Sequence, residues 1–547
     1  MPVVRRFPEN GASDPRVAAR IGANVRSAVH VAAGADFSRP QLARAGSIVG
    51  GAEQTALIVV GLTVVAAALR FARIGHQSFW YDEAFTVLLV HHSPGEMLGL
   101  VPQTELTPPL YYCLAWPWAR IFGFGEVGLR SLSAVAGVAT VPVMFGAATK
   151  LISRRVGLIA AGLVACNPLL IWYSQEARSY ALLVLLATLS LLAFAHARSP
   201  EPTPRQLGAW MLVAGLTLAT HYYGALAVVP EGLWLLWVHR RDRRVLVAVV
   251  AVGAFGLVLL PIALSQSPQA SWIAGWPLDQ RLSQIAPQYL LGTGAPARTW
   301  LKLAGGAGVL LAAVMLALRA DACERRGALV AGALAGSGLL LSLLLIVAGV
   351  DELITRNVIV VLIPLIVLVA SGLGARRAGA VGLIGVGTLC TIGVVAAIGV
   401  AVDWKLQRPD WRGVARAIES RPPTGAGRAI LVQRYPGLLP LGLEMPGVRF
   451  LKRRGALVDE LDVVAMQDSA NGWFCWWGSA CNLSPSQLDT SIRLPGFHPD
   501  GPVLRVDQFS ILRLRSAAAM RLTPQEVSRA LTATKLRSDG LLVQPLS

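Results

Sequence analysis

The 547-residue sequence draws 54% of its residues from Ala, Val, Ile, Leu, Met, Phe, Trp, Tyr and Cys and only 15% from the charged types, where soluble domains carry about 25% charge. That excludes an ordinary soluble enzyme, and the same apolar content excludes disorder over most of the length. Lys and Arg outnumber Asp and Glu by 49 to 31, a net +18; in a chain of many apolar stretches this excess reports orientation, because basic loops stay cytoplasmic, and no nucleic-acid partner is expected.

Residues 1–54 are polar, with seven Arg against four acids, and read as a disordered basic cytoplasmic tail. Apolar windows near the roughly 20 residues that a bilayer crossing needs then centre on 55–73, 129–149, 156–172, 178–196, 208–222, 223–238, 245–264, 300–318, 327–350, 355–373 and 379–402. The expected fold is thus an α-helical polytopic membrane protein of about 11 transmembrane helices over 55–402. With the N-terminus inside, the alternate loops on that side collect fourteen basic residues, from Lys150, Arg154 and Arg155 to Arg376 and Arg377. The outer loops after the third window hold only Arg178, Arg281, Arg298, Lys302 and Arg356. An odd number of crossings puts everything after residue 402 outside.

Two segments depart from simple crossings. Residues 108–123 are apolar but short, rich in Trp and Tyr and broken by Pro117, which suits the membrane interface. The windows 208–222 and 223–238 meet at His221, Tyr222, Tyr223 and Gly224 with almost no loop, so a tight outer hairpin is expected there. From Asp403 the composition turns to mixed charge, with strand-like runs at 429–433 and 511–515 and a helical start at 410–418. This reads as an extracytoplasmic α/β domain, 403–547. Cys113, Cys166, Cys323 and Cys390 show no spacing logic and read as packing residues; Cys475 and Cys481 stand either as a local disulfide or as two free thiols.

No Walker loop, HExxH, CxxC pair or Gly-rich dinucleotide turn occurs, so the outer-face acids carry the chemical interest. Phe79-Trp80-Tyr81-Asp82-Glu83 follows the first window and would hold two carboxylates at the membrane surface, although acids also suit the positive end of a helix. Trp172 to Tyr180 contains Glu176 and Arg178 at similar depth, and a guanidinium there suits a lipid phosphate. Glu105 to Tyr112 is a double-proline turn able to floor a surface cavity. Trp272, Trp276 and Tyr289 lie in a long outer loop, 265–298, as rings for stacking on a sugar or for interfacial anchoring. Asp351 to Asn357 opens the tenth window and offers Arg356 as a second phosphate contact or a snorkelling side chain.

At Tyr81-Asp82-Glu83, Thr107-Pro108-Pro109-Leu110-Tyr111-Tyr112, Arg130, Tyr173 to Tyr180, Thr355-Arg356-Asn357 and Asp410-Trp411-Arg412 the sequence resembles glycosyltransferase family 39. These are GT-C class membrane enzymes, bacterial relatives of protein O-mannosyltransferases and aminoarabinose transferases. The resemblance covers about residues 55–415. Many relatives carry a His where this chain has Thr107, so no role of that His is carried over. The resemblance implies a sugar on a polyprenyl phosphate, transferred with inversion on the outer face to a lipid, glycan or protein hydroxyl. It implies Asp82 as base, Glu83 and Glu176 orienting the reactants or sharing a divalent cation, and Arg178 and Arg356 on the donor phosphate. Tyr81, Pro108, Tyr111, Tyr173, Tyr180 and Trp272 would contact substrate. No cofactor beyond that optional cation is expected. The competing class is a non-catalytic polyprenyl transporter or scaffold, disfavoured because the span interiors hold almost no ionisable residues and no internal repeat is visible. The outer domain is expected to help recognise the acceptor.

Overall fold

The computed structural model describes residues 39–421, 423, 425–432, 434–466, 492–532 and 540–544, and side chains throughout these except at 39–50, 434–436 and 531–532. Cys475 and Cys481 lie outside the described residues, as does most of the expected tail. Two compact units divide the chain, Met1–Ile58 and Val59–Ser547. The first helix, Arg39–Phe71, starts well inside the stretch read as a tail; Pro40 at its first turn is compatible with helix initiation.

Each of the eleven expected windows falls on a helix or on a bent pair of helices, and what varies is length. Among the described residues seven helices are long and apolar enough to cross a membrane, or eight when the bent pair Arg154–Cys166 and Pro168–Ser174 counts as one. The remaining three windows fall on shorter helices, Pro204–Thr220, Tyr222–Val238 and Ile359–Leu373. At 1.5 Å rise per residue, about 17 residues reach roughly 25 Å, less than the ~30 Å hydrocarbon core. The chain is a multi-pass membrane protein. Tyr81–His91, Pro94–Thr104 and Leu110–Phe122 are too short to cross, the last of them coinciding with the segment read as interfacial.

The bent pair turns by 57° at Asn167. Pro168 cannot continue the incoming ladder, and the Asn167 side chain caps the next helix by accepting from the Leu170 amide at 3.0 Å. Carbonyls freed by such a break need partners inside a bilayer. Arg70, fully buried near the end of the first span, supplies them: its guanidinium donates to the carbonyls of Ala165 at 2.9 Å and Val164 at 3.0 Å, and its Nε to Ser174 Oγ at 3.2 Å. Gly137 permits this approach, since a Cβ there would lie 2.1 Å from Ser174 Oγ and 2.9 Å from Arg70 Nε. Arg70→Leu leaves two buried carbonyls unpaired at about 1–3 kcal/mol each, so the purified variant in detergent is expected to melt well below the parent. An unchanged melting temperature would refute this bracing role.

After residue 402 the described residues form a seven-stranded sheet ordered β2-β7-β1-β3-β6-β4, with β5 also on β6. The strands are β1 Arg428–Val432, β2 Arg449–Phe450, β3 Ala456–Met466, β4 Phe497–Pro499, β5 Leu504–Val506, β6 Phe509–Leu522 and β7 Gly540–Gln544. β1 and β3 run parallel and the other pairs antiparallel. Successive residues of β1 alternate between two cores. Ala429 and Leu431 join Val463, Leu512 and Val527, whereas Ile430 and Val432 join Trp411, Ile418 and Leu441. The expected α/β character of this region is therefore present, and Asp410 caps the helix Trp411–Glu419 by accepting from the Gly413 amide at 3.0 Å.

The link to the membrane helices is polar and specific. Ser78 Oγ donates to the Pro409 carbonyl at 3.2 Å and accepts from the Trp411 amide at 3.0 Å. The Arg408 amide donates to Gln77 Oε1 at 2.8 Å, and Arg412 pairs with Glu126. From the helix Arg434–Glu444, Leu443 packs into the cluster of Phe79, Val87 and Val90 beneath the helix Tyr81–His91.

Candidate functional site

A cavity of about 490 Å³ opens among the connecting segments, within the range of ordinary small-molecule sites. Its wall includes Tyr81, Asp82, Glu105, Thr107, Arg178, Tyr180, His221, Tyr223, Trp272, Arg281, Gln284, Gln288, Glu352, Thr355, Arg356 and Asn357. Six stretches that are separated in sequence thus meet at one place.

Asp82 enters from the first turn of the helix Tyr81–His91, an end whose exposed amides favour carboxylates. Its Oδ2 accepts from Arg356 Nη1 at 2.7 Å, and its backbone carbonyl accepts from Arg178 Nη1 at 3.1 Å. Arg178 also pairs with Glu105 at 2.7 Å. Two guanidinium groups therefore converge on Asp82. The Nε of each is buried and has no hydrogen-bond partner among the described residues, and both residues line the cavity. Tyr180 and Trp272 rings lie 6.0 and 5.8 Å from the Arg356 guanidinium carbon.

Glu83 and Glu176 lie elsewhere. Glu83 is fully buried and takes Arg130 in a bidentate pair at 2.7 and 2.6 Å, while its Oε1 also accepts from the Ala177 amide at 2.8 Å. Glu176 is equally buried and accepts from Arg408 Nη2 at 3.0 Å. Neither lines the cavity, because each is turned inward by an arginine from another element. Of the six residues expected to touch substrate, Tyr81, Tyr180 and Trp272 line the cavity; Pro108, Tyr111 and Tyr173 do not. Tyr111 is fully buried with its ring 5.5 Å from Tyr112, and Tyr173 stacks at 4.8 Å behind Tyr180. Thr107, in place of the His of many relatives, is in the wall with an unpartnered buried hydroxyl.

Burial pushes the Glu176 carboxyl up to about 7, against the opposing pull of Arg408. A folded value above the unfolded 4.5 means that the stability held by the protonated group is full below about 4.5 and is lost as pH rises through about 7. Glu176→Gln is expected to flatten that loss in melting curves taken from pH 4.5 to pH 8. Equal pH profiles for both proteins would show that Glu176 does not titrate in this range.

Several wall residues were invisible as site residues in the sequence. Arg281, Gln284 and Gln288 lie in a stretch read as loop, yet it is the helix Leu278–Leu291, and spacings of three and four put them on one face. That polar stripe was the available signal. No comparable signal marked Glu352, Tyr223 or His221. As for the optional cation, among the described residues no group of three or more His, Cys, Asp or Glu side chains is arranged to hold a metal. The acids at the cavity instead face guanidinium or phenol groups, a donor set that does not fit a cation, and no step is routed through one.

Residues 107–272 match the family model described as dolichyl-phosphate-mannose-protein mannosyltransferase. Among solved structures, ArnT from Cupriavidus metallidurans bound to undecaprenyl phosphate is 12% identical at a TM-score of 0.45, over 83% of this chain and 97% of that one. The Saccharomyces cerevisiae protein O-mannosyltransferase Pmt1-Pmt2 complex bound to the sugar donor is 19% identical at a TM-score of 0.31, over 39% of this chain. The match spans about a third, 32%, of the length of that yeast chain. Archaeoglobus fulgidus oligosaccharyltransferase AglB, in complex with an inhibitory peptide and a dolichol-phosphate, is 12% identical at a TM-score of 0.39, over 68% and 58% of the two chains. No curated protein sequence matches the chain.

Proposed function

We propose that this chain is a membrane glycosyltransferase of the GT-C type that moves a sugar from a polyprenyl-phosphate donor to an acceptor hydroxyl on the outer face of the membrane, with inversion. The observation that carries the reading is the convergence of two guanidinium groups, Arg178 and Arg356, on Asp82 in the wall of one cavity. Asp82 takes the acceptor proton as the acceptor oxygen bonds to the anomeric carbon. The bond from that carbon to the phosphate oxygen breaks, and the charge left on polyprenyl phosphate is stabilised by Arg178 and Arg356.

Inversion constrains the order of events. Base and leaving group must lie on opposite faces of the sugar; in inverting glycosidases the corresponding groups stand about 6.5–9.5 Å apart. Arg356, 2.7 Å from Asp82, loosens that contact as it follows the departing phosphate. Donor binding exchanges one anion for another on Arg356 and so frees the carboxylate for the acceptor. Glu83 and Glu176 act as braces rather than as reactant contacts.

The test is transfer of radiolabelled sugar from polyprenyl-phosphate donors to membrane extract by the purified chain in proteoliposomes. A labelled product supports the reading and its analysis names the acceptor class. Donor binding without any product would favour the scaffold alternative. The domain after residue 402 contributes acceptor recognition and, through Leu443, support beneath the Asp82 helix. Because Arg408 to Arg412 are built into the membrane domain, a chain ending at Glu419 is the proper truncation. It is expected to bind donor but lose transfer, and full transfer would remove the domain from recognition.

A further inference from the structure

The acids at the cavity are not equivalent. Asp82 is paired with Arg356 and Glu105 with Arg178. Glu352, half-buried in the same wall, has no cation partner among the described residues and accepts only from the Tyr223 hydroxyl, at 3.2 Å. A carboxylate has about four acceptor sites, so most of the capacity of Glu352 remains open. In the same wall, Gln288 Oε1 is buried with no partner among the described residues, while its Nε2 donates to Gln284 at 3.3 Å. This part of the cavity therefore offers acceptors and asks for donors.

The backbone ties this patch to the anion site. Asn357 Nδ2 donates to the Glu352 carbonyl at 2.8 Å and the Asn357 amide to the Ile354 carbonyl at 3.0 Å. The turn so closed presents Glu352 and Arg356 to one cavity. A ligand that meets both carries an anionic group and, a short distance away, several hydroxyl donors. A sugar phosphate has that pattern; the polyprenyl chain and its bare phosphate do not.

We infer that Glu352, with Gln288, is the subsite that reads the ring hydroxyls of the donor sugar and so sets which sugar is accepted. The inference rests on the proposed transfer reaction for its biological meaning, yet it concerns binding and is tested apart from turnover. The probes are polyprenyl phosphate and polyprenyl phosphomannose, each titrated onto purified protein in detergent with affinity read from the ligand-dependent thermal shift. The parent is expected to bind the sugar-bearing lipid more tightly than the bare lipid. Glu352→Ala is expected to lose about 10- to 100-fold in affinity for the former, the effect of one hydrogen bond to a charged group, and nothing for the latter. Gln288→Ala, should Glu352→Ala not fold, is expected to lose several-fold for the sugar-bearing lipid only. Equal loss for both lipids, or no preference in the parent over a panel including glucose, galactose and arabinose donors, overturns the inference. Selective loss in a protein that makes no product would sustain the subsite while removing the transfer reading.

Discussion

Asp82→Asn is expected to lower transfer by about 10²- to 10⁴-fold, the usual contribution of a positioned general base. The substitution keeps the size of the side chain and one carbonyl-type acceptor for Arg356, so folding and donor binding should persist. What it removes is the group that takes the acceptor proton. Measured at saturating donor and matched expression, the loss should therefore appear in kcat, with the donor KM little changed or lower, because Arg356 would no longer be held by a competing anion. The companion Arg356→Ala should raise the donor KM instead. Equal labelling by Asp82→Asn and the parent would take Asp82 out of the chemistry, and the next acid to test would be Glu105, another carboxylate in the same wall, paired with Arg178.

The second large effect is expected from the neighbouring residue, and it concerns folding. Glu83 and Arg130 are both fully buried, and the Arg130 guanidinium meets both Glu83 oxygens together with the carbonyls of Ile74 at 3.0 Å, Gln77 at 2.6 Å and Ser78 at 3.0 Å. The pair closes the chain between the first span and the helix carrying Asp82. Removing one partner leaves the other charge buried and uncompensated, a loss of about 3–5 kcal/mol. Glu83→Ala and Arg130→Met are each expected to reduce folded yield sharply and to lower the melting temperature in detergent. The double variant should recover part of the loss, since two apolar residues leave no unpaired charge. A folded, normally stable Glu83→Ala with reduced transfer alone would return Glu83 to a direct role with the reactants.

The contrast between these adjacent acids marks how far the sequence could be read. Apolar windows located the seven long apolar helices and the region of the bent pair between residues 51 and 402 because removing apolar side chains from water depends on composition over some 20 residues, which is a local property. The strand-like runs at 429–433 and 511–515 and the helical start at 410–418 were legible from local alternation and composition, whereas the bend at Asn167 was not. The two arginines that converge on Asp82 were also legible as types, since a guanidinium at the ends of apolar windows is costly without a purpose.

What remained hidden depended on partners distant in the chain. Asp82 and Glu83 differ by about 100° around their helix axis, and only Arg130, 47 positions away, decides which of them turns inward. Glu176 was assigned to the reactants because nothing nearby showed that Arg408, 232 positions later, would neutralise it. Glu352 carried no signal at all, as its meaning arises from being left without a cation where its neighbours in the cavity have one. The sequence by itself determined a multi-pass membrane protein with a sheet domain after residue 402 and the chemical types gathered at one set of helix ends. The tertiary structure decided which carboxylates are consumed in buried pairs and which stay open to a ligand, because ion pairing acts between side chains that only folding brings within a few ångströms.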